Sequence, residues 1–241
     1  MVKTSPTPRA LVHAAVLLIA FLLGAVAVEA QSNEPQILFD GSNTDQWEFA
    51  DGAWVIDSDG AFHCVMEEVK AKNGTVRLKG KGYIWTKQNY DDFELTLSYK
   101  LSEGCNSGVF YRSSPKDPVQ QGFEIQLLDN AGFQKVKGPK DGKNLNGAFY
   151  DAQAATKDTS NPVGQWNEFR LTCQGSRAKV EINGVVVNEI DFDRWDTANA
   201  NPDGTRNKFK TALKELPRTG RIGFQNHGQV VWIKDVRVIE K

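Results

Sequence analysis

The sequence predicts an all-β fold, two antiparallel sheets stacked as a sandwich or jelly roll, and three observations carry that prediction. Beyond Ile37 the chain is built of short runs in which apolar and polar residues alternate. Gly, Asn and Asp punctuate these runs where a chain must reverse. No helical period longer than a turn or two intervenes, except in NKFKTALKELP near the C-terminus. Strands at this spacing without helices between them call for a sandwich or jelly roll.

In chain order, AWVIDSDGAFHCV predicts a strand, an Asp-Gly turn and a second strand. GYIWTK and DFELTLSYKL follow, then NSGVFYR and GFEIQLLDN. WNEFRLTCQGSRAKVEINGVVVNEI contains two reversals, at QGSR and NGV, and so predicts three consecutive strands of a meander. GRIGFQ and VVWIKDVRVIE complete the set, with a polar turn containing His227 between them. No repeat or low-complexity tract breaks residues 31–241, so one domain is expected there.

Residues 1–30 read as a secretory signal. A segment with Lys3 and Arg9 precedes the apolar run LVHAAVLLIAFLLGAVAV, and Val28 and Ala30 offer a small-residue cleavage site. The expectation is an exported protein, periplasmic or secreted, whose mature chain starts at Gln31 and is not bound to a membrane. Removing the leader takes away Lys3, Arg9 and Glu29, leaving 27 Lys+Arg against 29 Asp+Glu. That balance gives no electrostatic case for nucleic acid or for an anionic membrane. Three cysteines, Cys64, Cys105 and Cys173, allow at most one disulfide and show no metal or redox spacing.

Function is suggested by strand parity. In GFEIQLLDN, Phe123, Ile125 and Leu127 suit the core, which turns Glu124 and Gln126 to the opposite face. In NSGVFYR, Val109 and Tyr111 point one way, while Asn106, Phe110 and Arg112 point the other with Gly108 leaving space among them. An outward face is usually just a solvated one. Here, however, amides, a carboxylate, a guanidinium and an aromatic ring gather, which is what hydrogen-bonding hydroxyls and covering a sugar ring require.

These residues also carry a resemblance. ILFDGSNTDQWE, YIWTKQNYDDFELTLSYKLSEGCNSGVFYR, GFEIQLLDN, GQWNEFRLTCQGSRAKVEINGVVV and GRIGFQNHGQVVWIKDVRV resemble, in order, the signature blocks of the DUF1080 family, also called the 3-keto-disaccharide hydrolase domain. The resemblance covers about Ile37 to Ile239 and implies a concanavalin-like jelly roll. It further implies action on 3-keto-glycosides, sugars already oxidised at the third carbon. Lys87, Asn106, Arg112, Glu124, Gln126, Asp129 and His227 match the family's polar blocks. Asn226 stands where the family commonly has Asp, which puts the charge support of His227 in doubt, and residues 196–219 form an insert with no counterpart, expected at the rim.

The chemistry assigns roles. A ketone at C3 acidifies the C2 hydrogen, so the glycosidic oxygen on C1 can leave by elimination and water can add back, without the paired carboxylates of ordinary glycosidases. His227 and Glu124 are the expected base and acid, in either order, with Lys87 or Arg112 stabilising the enolate oxygen. Asn106, Gln126 and Asp129 are expected to bind hydroxyls, and Phe110 and Trp85 to line the cleft. A divalent ion shared by His227, Glu124 and Asp129 would polarise the ketone, but no ligand spacing argues for one, and no cofactor is expected. The alternative function is a non-catalytic, lectin-like module using the same face.

Overall fold

The computed structural model describes residues 1–3 and 34–241. The expected leader therefore lies, beyond its first three residues, outside the described residues. All elements below belong to the compact unit Gln31–Lys241. In chain order the strands are Gln36–Phe39 (β1), Trp47–Glu48 (β2), Trp54–Ile56 (β3), Phe62–Cys64 (β4), Met66–Lys70 (β5), Val76–Gly80 (β6), Ile84–Thr86 (β7), Phe93–Leu101 (β8), Asn106–Ser113 (β9) and Phe123–Leu128 (β10). They continue with Asn167–Gln174 (β11), Arg177–Ile182 (β12), Val185–Asp191 (β13), Arg221–Phe224 (β14) and Val231–Glu240 (β15).

These strands make the expected antiparallel sandwich. The larger sheet runs β13-β12-β11-β8-β15-β4-β3, with β1 also on β15, and the smaller runs β10-β9-β14-β7-β2. The expected hairpin is β3-β4, and the meander is β11-β12-β13. Strand β8 shows why the sequence folds this way, because its residues alternate between buried and half-buried along all nine positions. Phe93, Leu95, Leu97, Tyr99 and Leu101 enter the core. Each large apolar side chain so buried stabilises the fold by roughly 1.5–3 kcal/mol. Opposite them, Val109, Tyr111, Phe123, Ile125 and Leu127 come from the smaller sheet.

Three features depart from the expectation. Strands β5 and β6 form a separate hairpin that joins neither sheet. A helix, Asn130–Lys137 (α1), follows β10 because Asp129 caps it, its Oδ1 accepting from the Gly132 N–H at 3.1 Å. NKFKTALKELP, in contrast, is irregular apart from a 3₁₀ turn at Leu213–Glu215. Phe209, Ala212, Leu213 and Leu216 are buried at helix-like spacing. The segment is held in place by side chains, the N–H groups of Lys208, Phe209 and Lys210 donating to Asp151, Asn207 and Gln120. The cysteines Cys64, Cys105 and Cys173 are buried and free. Trp54 is buried, whereas Trp232 lies half-buried beneath the Lys100 ammonium, 4.6 Å from its ring centroid.

Candidate active site

Strands β9 and β10 differ from β8 in being buried on both faces. Their polar face is therefore not a solvated exterior, and each group on it must find a partner or a use. Across the ladder Glu124 lies opposite Phe110 and Gln126 opposite Gly108. The far edge of β10 is covered as well, because the Tyr150 N–H donates to the Glu124 carbonyl at 3.0 Å and the Gly147 N–H to that of Gln126 at 2.9 Å.

Glu124 is the chemical centre of this face. It is 7% exposed. A Cβ on Gly108 would stand 2.2 Å from Glu124 Oε1, so only glycine leaves room for the carboxyl group. Gln225 Nε2 donates to the same oxygen at 3.1 Å. Burial pushes the Glu124 carboxyl up to about 8, although the charges of Lys208 and Lys140 pull the other way. Burial thus favours the protonated carboxyl near neutral pH, with Oε1 accepting from Gln225.

Amides and aromatic rings surround this acid. Gln126 Nε2 donates to Asn106 Oδ1 at 2.7 Å and to the Ser107 carbonyl at 2.8 Å. Phe110 stacks on Tyr83 and on Trp85, both with ring centroids 5.5 Å away. Trp85 lies flat across Gly223, where an added Cβ would meet its ring at 2.4 Å. Phe110 and Trp85 are buried but stand outside the inter-sheet core. Burial raises the Tyr83 hydroxyl above the usual phenol range, and the Glu124 charge adds to the effect.

Not every expected residue is here. Arg112 is 1% exposed but has left the face that alternation assigned to it. Its φ of 46° and the register shift of β14 against β9 turn its side chain away. The guanidinium donates instead to the carbonyls of Asp91 (2.8 Å) and Gly175 (2.7 Å) and to Asp92 Oδ1 (2.7 Å). Arg112→Ala should thus destabilise the fold by about 1.5–3 kcal/mol, the usual worth of hydrogen bonds made by a charged group, because it removes a buried guanidinium that bonds three acceptors. Urea denaturation would show this, and a change below about 1 kcal/mol would remove the strut role.

Asp129 is likewise spent on structure, its Oδ2 accepting from the Gly104 N–H at 2.8 Å while Oδ1 caps α1. Lys87 is exposed just past β7, and it is not among the cations whose charge acts on Glu124. His227 is exposed on the β14–β15 loop, two residues beyond Gln225, with no hydrogen bond among the described residues and none to Glu124. Asn226 explains the departure from Asp: its Nδ2 donates to the Val65 carbonyl at 3.0 Å, which a carboxylate could not do. It braces the loop instead of orienting the imidazole.

Sequence reasoning missed Gln225, Tyr83, Tyr150, Lys140 and Lys208. Tyr83 could have been found, since it lies two residues before Trp85, already expected to line the cleft, and Gln225 could have been found from the same two-residue period extended beyond GRIGF. The other three come from loops, where no periodicity exists to read. Among the described residues, no group of three or more His, Cys, Asp or Glu side chains gathers as a metal site would need. A surface hollow of about 380 Å³ lies instead over β11–β13, but Arg177 there pairs with Asp191 at 3.5 Å and no buried acid faces it.

Two antiparallel sheets with a buried acid set among amides and aromatic rings define a jelly-roll class of protein. Within that class, the chain belongs to the 3-keto-α-glucoside-1,2-lyase-like domain family, whose profile matches residues 34–239. It is 28% identical over 178 residues to a 3-keto-disaccharide hydrolase of Bacteroides thetaiotaomicron. That match covers 62% of this chain and 58% of the relative's own length. A provisionally assigned glycosyl hydrolase from Parabacteroides distasonis superposes with a TM-score of 0.75 at 29% identity, covering 87% of this chain and all of that one. A Bacillus licheniformis β-glucanase, at 13% identity and a TM-score of 0.50, covers 88% of this chain and all of its own, and shares the jelly-roll fold alone.

Proposed function

We propose that this chain is an exported enzyme that cleaves 3-keto-glycosides by elimination and rehydration. The observation that carries the reading is Glu124, a carboxylic acid held protonated near neutrality on a face lined with amides and aromatic rings. An acid poised this way suits protonation of a leaving glycosidic oxygen. The base is then assigned to His227, exposed on the loop two residues beyond Gln225, whose amide holds Glu124.

In the first half, His227 removes the C2 proton and the electron pair passes into an enolate on the ketone oxygen. The C1–O bond breaks as that pair returns, and Glu124 gives its proton to the departing oxygen. In the second half, water adds its hydroxyl at C1, its proton going to the Glu124 carboxylate, and the imidazolium returns a proton to C2. The sum is hydrolysis, with both residues restored. Lys140, half-buried and close enough for its charge to act on Glu124, replaces Lys87 and Arg112 as the cation for the enolate oxygen. Gln126 and Asn106 bind hydroxyls, while Trp85 and Phe110 cover a sugar face.

Purified protein offered a 3-keto-glucoside and the matching unoxidised glucoside should cleave only the first. Equal cleavage of both would overturn the proposal. Binding without turnover of either would favour the lectin-like alternative.

A further inference from the structure

We propose that Lys208 and Tyr150 form a subsite for a carboxylate carried by the substrate. The proposal rests on the 3-keto-glycoside reading and names the class of glycoside taken. Lys208 belongs to the insert over residues 196–219, and its side chain is exposed, yet its position is fixed. Its N–H donates to Asp151 Oδ2 at 2.8 Å and its carbonyl accepts from Gln120 Nε2 at 3.1 Å. Gln120 Oε1 accepts from the Lys210 N–H at 3.0 Å, which holds the segment on its other side. The Lys208 ammonium donates to the Tyr150 hydroxyl and stands 3.9 Å from the centre of that ring.

Ordering a lysine costs side-chain entropy, and an ion pair commonly offsets it. Lys143 has one with Asp203 at 2.9 Å, and Arg218 has one with Asp193 at 3.4 Å. Among the described residues, no carboxylate lies within 4.0 Å of the Lys208 ammonium. Glu124, whose partner strand segment carries Tyr150, supplies no countercharge while protonated. Lys140 adds positive charge close by. The Tyr150 oxygen already accepts from Lys208, so its O–H is left to donate. An ammonium and a free phenol O–H side by side suit an anionic oxygen acceptor.

The carboxylate can sit on the sugar or on the leaving group, and four compounds separate these sources. One pair is a 3-keto-glucuronoside and its 3-keto-glucoside. The other is 4-carboxyphenyl and 4-carbamoylphenyl 3-keto-glucoside. In one pair, KM for the carboxylate should be about tenfold lower at low salt, a difference that salt erodes. Lys208→Met should erase that preference, read as the ratio of KM within each pair, so that any change in kcat shared by both members cancels. No preference in either pair, or one that survives Lys208→Met, overturns the subsite. If none of the four is cleaved, the glycoside-cleaving reading fails, and equilibrium binding of the same four still reads the charge preference by the same criteria.

Discussion

Glu124→Gln is expected to lower turnover of a 3-keto-glycoside by about 10²–10⁴-fold, the usual effect of losing a general acid. Substrate binding should change much less, because the amide keeps the shape of the side chain and can still accept from Gln225. The pH profile supplies a second readout. Since the acid must carry its proton, activity should fall as pH rises through about 8, where burial has placed Glu124.

Stability is linked to the same group. The folded value of about 8 lies above the ordinary 4.5, so the native state binds this proton more tightly than the unfolded chain does. The stabilisation is complete below pH 4.5 and is lost progressively as pH rises toward 8. Denaturation at a series of pH values should show that slope in the wild type and a flatter one in Glu124→Gln. An unchanged slope, with full activity above pH 9, would mean that Glu124 is ionised and is not the acid.

His227→Ala should produce a loss of similar size, about 10²–10⁴-fold, confined to the steps that move the C2 proton. The effect should fall on kcat, with KM nearly constant, since no hydrogen bond from His227 supports the fold among the described residues. Thermal unfolding of the variant should accordingly match the wild type. Full activity in His227→Ala would send the search for a base to the lysines near Glu124. The double variant should lose little more than the worse single one, because acid and base act on one reaction path.

Much of the architecture was legible in the sequence, because strand alternation is a local property. It placed Phe123, Ile125 and Leu127 in the core and turned Glu124 and Gln126 away from it. The same rule failed at Arg112, where a positive φ breaks the alternation that the residue letters suggest. Asp129 departed from its expected role for another reason, and the use of Asn226 was not legible: their side chains satisfy backbone groups of Gly104 and Val65, distant in sequence, and no short pattern announces such a partner. Lys208 and Tyr150 come together only through the folded insert. The family blocks cover β9 and β10, which carry Asn106, Glu124 and Gln126, whereas the loops that hold Tyr150, Lys140 and Lys208 carry no periodicity.

The most direct test of elimination is a 3-keto-glucoside labelled with deuterium at C2. The account predicts that cleavage is slowed by the label, or that deuterium is lost to solvent and the product carries hydrogen at C2. Cleavage at the unlabelled rate with deuterium fully retained at C2 would mean that the proton never leaves, and would contradict the mechanism.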